Sequence, residues 1–194
     1  MKIILKIFAL IFLLASCKQK FANPHIVIQT SVGDIEIELF DKQAPITVNA
    51  FLSYIDSGYF KNSNFYRVLN DDNQPSNAPK TELIQGGIWK SNNKLASSLK
   101  GIIHETTKQT GIQHTDGTIS LARLTTGTAS TEFFICVGDQ HGLDYGGENN
   151  SDGQGFAAFG KVIKGMSVVK QIYKADEENQ YYHPPIPIYN IVRE

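Results

Sequence analysis

The sequence predicts a mainly β protein, a closed or nearly closed barrel capped by two helices. Three observations predict it. Short apolar runs recur along most of the chain. Turns rich in Gly, Asn and Asp divide those runs, and glycine accounts for 16 of the 194 residues. Only two segments carry a helical period. A chain of this length fits one domain, and a 41% hydrophobic content is enough for one core. A net charge of −1 gives no reason to expect nucleic acid as a partner.

The first structured element is expected at His25. Ile26 and Ile28 alternate with Val27 and Gln29, and after Ser31-Val32-Gly33-Asp34 the residues Ile35, Ile37 and Leu39 alternate with Glu36 and Glu38. Two period-2 runs around a Gly-Asp turn read as a β-hairpin with one buried face. The period then changes. Pro45 suits a first helical turn, Val48, Phe51, Leu52 and Ile55 form one apolar stripe, and Gly58 suits a C-cap. A second helix is predicted over Met166 to Tyr173, where Met166, Val169 and Ile172 share a side. Strands are predicted at Asn64 to Leu69, Leu83 to Ile84, Gly117 to Ala122, Phe133 to Val137, Phe156 to Val162 and Ile188 to Val192.

Two loops break this rhythm, Asn70 to Lys80 (NDDNQPSNAPK) and Gly146 to Gly155 (GGENNSDGQG). In the second, Glu148, Asn150, Asp152 and Gly153 match the first half of an EF-hand loop, but Phe159 stands where the last calcium ligand belongs. Turn chemistry is the better reading.

The N-terminus has its own logic. Lys2 and Lys6 precede the apolar run Ile7 to Leu14, and Ala15-Ser16-Cys17 follow. This is the layout of a signal peptide over residues 1–16, since the run is shorter than the roughly 20 residues that span a bilayer. Leu14-Ala15-Ser16-Cys17 resembles the bacterial lipobox, which implies lipidation of Cys17 and a tether over 17–24. Attachment through the lipid alone, facing the periplasm or exterior of a cell envelope, is the expectation, on the outer membrane in a Gram-negative host. Cys136, inside the apolar run FFICV, then has no partner and reads as a core thiol.

Several chemistries have no signature here. There is no G-x-S-x-G turn, no P-loop and no H-E-x-x-H pair. The five histidines, His25, His104, His114, His141 and His183, are nowhere spaced i, i+4. An enzyme built on this chain is expected to use no metal, no cofactor and no covalent intermediate.

Three ordered segments carry a family resemblance. They are Phe65-Tyr66-Arg67-Val68 with Ile84-Gln85-Gly86-Gly87; Asp116-Gly117-Thr118-Ile119-Ser120-Leu121-Ala122-Arg123; and Ala129-Ser130-Thr131-Glu132-Phe133-Phe134-Ile135, followed by Leu143-Asp144 and Phe156-Ala157-Ala158-Phe159-Gly160-Lys161-Val162. In this order they resemble the cyclophilin pattern F-H-R…Q-G-G, G-x-[IL]-[SA]-M-A, S-Q-F-F-I and F-G-x-V. The likeness covers His25 to Glu194. It implies a closed eight-stranded antiparallel barrel with a helix at each end. It also implies a monomeric peptidyl-prolyl cis-trans isomerase that acts on proline-containing polypeptides and assists the folding of exported proteins. Retention of the groove as a proline-peptide-binding or chaperone module, with catalysis weak or lost, is the alternative. Carried over, Arg67 polarises the prolyl amide and Gln85 steadies it. Leu83, Ala122, Phe134 and Leu143 line the proline pocket, and Arg123 offers its backbone to the peptide.

The sequence also departs from that pattern. Tyr66 replaces a histidine, loop 70–80 lengthens the link between Arg67 and Gln85, and Glu82 stands where the pocket usually has a phenylalanine. Glu132 replaces a glutamine and is expected to pair with Arg67 or to bind a peptide N–H. Gly142 stands in place of a tryptophan, and Phe156 stands in a substrate-binding place usually held by histidine.

Overall fold

In the computed structural model, which describes residues 21–194, eight strands close on themselves in the order β1-β2-β7-β5-β6-β4-β3-β9, and β9 pairs back onto β1. All pairings are antiparallel. The strands are β1 (His25–Thr30), β2 (Gly33–Leu39), β3 (Ser63–Leu69), β4 (Leu83–Gly87), β5 (Thr118–Leu121), β6 (Phe133–Cys136), β7 (Ala157–Lys164) and β9 (Tyr181–Arg193). A two-residue strand, β8 (Glu177–Glu178), adds a ribbon to β9 outside the ring. Among the described residues, closure leaves no long unpaired edge. The expected signal segment and Cys17 lie outside the described residues. Residues 21–24 are not a free tether. Phe21 stacks on His25 at 3.6 Å, and the Pro24 carbonyl accepts from Leu39 N–H at 2.9 Å. An apolar ring and one more ladder bond hold this stretch to the barrel.

The two predicted helices are α1 (Pro45–Asp56) and α4 (Met166–Tyr173). Helix α1 buries Val48, Phe51, Leu52 and Ile55. Ala44 cannot cap it with a side chain, so a distant carboxylate does: Glu105 accepts from the backbone N–H groups of Ile46 (3.2 Å) and Thr47 (2.7 Å). Two short helices were not predicted, α2 (Asn93–Ser98) and α3 (Thr107–Thr110). They lack an apolar repeat and are set by caps instead. The Asn92 side chain accepts from Leu95 N–H, and Thr106 and Gln109 form a capping box. The last strand begins at Tyr181 rather than Ile188. Pro184, Pro185 and Pro187 argue against a strand in the sequence, yet this stretch pairs with β3 as Asn64↔Pro187 and Phe65↔Ile186.

The inside of the barrel is sealed by aromatic edges. Phe133 lies 5.7 Å from both Phe51 and Phe65 in T-shaped contacts, with Phe60 at 5.9 Å. A second, smaller cluster forms on the outer face from Leu83, Phe134, Cys136 and Leu143, with Leu69, Ala122 and Phe156 against it. Strand alternation builds both. Ile84, Phe133 and Ile135 point in while Leu83, Phe134 and Cys136 point out. With loops covering the outer cluster, β5 and β6 are buried on both faces, and their sequences therefore read as unbroken apolar runs.

Candidate active site

One irregularity in β3 creates the site. Phe65 and Val68 both belong to the inner core, although simple alternation would put them on opposite faces. A bulge between Phe65 and Arg67 takes up the difference, so Tyr66 and Arg67 both face outward. Register then aligns the site across three strands, with Arg67 opposite Gln85 and Gln85 opposite Phe134. The result is a surface cavity of about 1040 Å³ with the guanidinium on one rim and the outer apolar cluster as its floor.

Arg67 is half-buried and forms no ion pair among the described residues. Its partners are neutral amide oxygens. Nη1 donates to Gln85 Oε1 at 3.2 Å, while Nη2 and Nε donate to Gln180 Oε1 at 2.6 and 3.2 Å. A guanidinium has five N–H groups; these three bonds leave two for a ligand and leave the charge uncancelled.

Behind Arg67 runs a directed chain of hydrogen bonds. Gln85 Nε2 donates to the Tyr66 hydroxyl at 2.8 Å, and that hydroxyl donates to Glu132 Oε2 at 2.6 Å. Glu132 Oε1 accepts from Ile88 N–H (2.9 Å), Trp89 N–H (3.0 Å) and the Thr131 hydroxyl (3.2 Å). The expected Glu132–Arg67 pair is therefore absent, and the peptide N–H groups that Glu132 binds belong to its own chain. Burial pushes the Glu132 carboxyl up, against the pull of Tyr66, Trp89, Ile88 and Thr131. Burial, with Glu132 beside it, also pushes the Tyr66 phenol far up, so it remains a donor. The close approach requires Gly87. Its φ is +143°, and a Cβ there would lie 2.5 Å from Glu132 Oε1.

The floor is apolar and braced. Phe134 meets Phe156 edge-on at 5.5 Å and lies 5.9 Å from the His114 ring, nearly parallel. His114 is fully buried between Asp144 Oδ1 (2.7 Å from Nδ1) and the Ser120 hydroxyl (3.0 Å from Nε2). These contacts match those of a serine hydrolase, but Ser120 is 0% exposed and does not line the cavity. Burial alone would raise the Asp144 carboxyl; hydrogen bonds from His114 and His141 hold it below the usual range. Buried Cys136, its thiol pushed up mainly by desolvation, belongs to this floor rather than to the inner core.

The sequence-predicted residues Arg67, Leu83, Gln85, Ala122, Glu132, Phe134, Leu143 and Phe156 all line this one cavity. Glu82 does not. Its carboxylate bonds the Tyr173 hydroxyl on α4, and Leu69 and Leu83 supply apolar surface nearby. The Arg123 side chain has a task that the sequence did not suggest. It lies 5.0 Å above the Phe156 ring, pairs with Asp152 through both Nη atoms (2.6 and 2.8 Å), and donates from Nε to Gly155 O at 2.9 Å. Loop 146–155 is thereby clamped to the rim, and the Asp152 carboxyl is held far below its usual range by that guanidinium. Asn149 fills the space beside Gly142, where a Cβ would come within 2.9 Å of it, and donates to Lys80 O at 3.0 Å. The two inserted loops thus meet. Gln180 was not picked out from the sequence because it reaches Arg67 from a distant segment. Leu69, on β3 beside Arg67, and His114 were not picked out because none of the recognised motifs includes them.

The comparisons agree with this geometry. The model of the family described as cyclophilin type peptidyl-prolyl cis-trans isomerase/CLD matches residues 25–193. The chain is 33% identical to peptidyl-prolyl cis-trans isomerase A of Dickeya dadantii, over 88% of this chain and 82% of that one. It is 32% identical to peptidyl-prolyl cis-trans isomerase B of Escherichia coli, over 87% and 96%. A Cryptosporidium parvum cyclophilin type isomerase, crystallised in the presence of the dipeptide Ala-Pro, superposes with a TM-score of 0.66 at 22% identity over 88% of this chain and 98% of that one, which speaks for the fold. A closed eight-stranded barrel, a family match across nearly all of it, and an unpaired arginine beside an apolar hollow converge on one statement: the chain belongs to the cyclophilin-type peptidyl-prolyl cis-trans isomerase family.

Proposed function

We propose that the cavity binds proline-containing segments and rotates their X-Pro bonds, with Arg67 as the catalytic residue. Amide resonance sets a barrier of about 18–20 kcal/mol, and uncatalysed X-Pro exchange takes tens of seconds or more. Resonance needs the lone pair of the proline nitrogen. As the bond twists, that lone pair localises and becomes a hydrogen-bond acceptor. A donor aimed at it stabilises the twisted state more than the planar one. Among the described residues Arg67 keeps two N–H groups free and has no carboxylate neutralising it. The proline ring rests on Phe134, Leu83 and Leu143, so one side of the bond is held while the other turns. The single observation that carries this reading is the uncancelled guanidinium on the rim of the apolar hollow.

Neither carboxylate behind the alternative of a non-catalytic binding module restrains Arg67: Glu82 bonds Tyr173, and Glu132 bonds Tyr66. The test is the isomerisation rate on a proline tetrapeptide, in a protease-free assay, of wild type beside Arg67→Ala. Equal rates would remove Arg67 from the chemistry. The export signal, lipidation at Cys17 and assistance to exported proteins rest on the N-terminal sequence alone. Metabolic labelling with a fatty acid, lost in Cys17→Ala, tests the anchor.

A further inference from the structure

The β8–β9 turn brings to Arg67 a residue that lies outside every motif matched in the sequence. Asn179 and Gln180 form a two-residue hairpin loop, both at positive φ (52° and 75°). Asparagine accepts that conformation readily; glutamine does not, and glycine would be the ordinary choice. Gln180 nevertheless makes contacts that no glycine could. Its Oε1 receives two N–H groups of Arg67, the shorter at 2.6 Å. Its Nε2 donates to Asn73 O in loop 70–80 at 3.0 Å, which fixes the amide so that the oxygen faces the guanidinium. Its own backbone is tied down at both ends, the carbonyl by Val68 N–H (2.9 Å) and the N–H by Glu177 Oε2 (2.6 Å).

We propose that Gln180 is a positioning residue for Arg67, and that loop 70–80 acts on catalysis by orienting it. A flexible arginine samples many rotamers, and a rim cation that wanders cannot aim a donor at a twisting amide. Gln85 alone holds one terminal nitrogen at 3.2 Å. Gln180 grips Nε and Nη2 together and so sets the plane of the guanidinium. Being neutral, it does this without cancelling the charge.

This inference rests on the assignment of Arg67 as catalytic, so Arg67→Ala is measured alongside. Gln180→Gly and Gln180→Asn both suit the left-handed turn and neither reaches Arg67. We expect kcat/KM on the proline tetrapeptide to fall about tenfold, the worth of one charge-assisted hydrogen bond. The loss should fall in kcat with KM little changed, because the apolar floor is intact. The Arg67 Nε–H resonance should exchange faster with water, while the melting temperature of Gln180→Gly is not lowered, since positive-φ strain is relieved. A purely structural role predicts a lower melting temperature and an unaltered Arg67 signal, and either result overturns the inference. So does an unchanged rate in both variants while Arg67→Ala is inactive; in that case the assignment of Arg67 survives and only Gln180 is dismissed. Should Arg67→Ala itself keep the wild-type rate, both fall.

Discussion

The same three strands carry two apolar clusters on opposite faces, and the clusters have different uses. Inside the barrel, Phe133 is enclosed by the rings of Phe51, Phe60 and Phe65. One residue along, Phe134 faces outward, braced by His114 and Phe156 and bordering the cavity on its free side. Composition does not separate them, since both are phenylalanines in one apolar run. What differs is what lies against each ring: Phe133 is packed round by core rings, while Phe134, itself only 2% exposed, borders the cavity. A ring enclosed by its core stabilises the fold, and a ring that borders a cavity becomes a floor for a ligand.

That contrast is open to attack. Phe133→Ala empties a sealed site and should lower unfolding free energy by about 3–5 kcal/mol in denaturant titrations. A small loss there would mean that the inner cluster is not the principal core. Arg67→Ala should cut kcat/KM by roughly 10²–10³, comparable to removing one oxyanion donor, with little change in melting temperature. Phe134→Ala should cost about 1.5–3 kcal/mol of transition-state binding, the worth of one large apolar side chain, with KM rising. Its stability loss should be smaller than that of Phe133→Ala; equal losses would erase the distinction between the faces.

The smallest expected effect concerns Glu132, at the border of the two regions. Burial raises its carboxyl above the ordinary 4.5. A raised acid stabilises the fold fully below its unfolded value, and that contribution is lost as pH rises through the folded value. Wild type should therefore lose stability relative to Glu132→Gln as pH climbs above 4.5. The slope for one proton is at most about 1.4 kcal/mol per pH unit. Unfolding curves of the two proteins that stay parallel across this range would show that Glu132 is fully compensated by its donors.

Much of this was legible from local pattern. The opening hairpin and the stripe of α1 follow from period alone, whereas the outward places of Leu83 on β4 and Phe134 on β6 follow from the family resemblance, since β6 itself is an unbroken apolar run. Helices α2 and α3 escaped because a four- or six-residue helix has no period to detect; only caps at Asn92 and Thr106 marked them. Gln180 was invisible for another reason. It lies 113 residues from Arg67, and a glutamine in a polar turn carries no sign of what its amide will touch. The chain from Tyr66 to Glu132 spans 66 residues and was likewise beyond local reading, although both positions stood out as departures. Chemistry was foreseeable where a motif recurs, and not where loops fold back onto it.

The extra residue in β3 has a mechanical corollary. Phe65 and Val68 are anchored in the sealed interior, and the backbone between them has one spare step. Were that step to migrate past Arg67, the guanidinium would turn into the interior and a neighbouring aliphatic would take its place outside. Misplacing the slack by one position would thus extinguish turnover and bury an unpaired cation in a single event. The irregularity that keeps Phe65 and Val68 inside is thus the same one that keeps Arg67 at the surface.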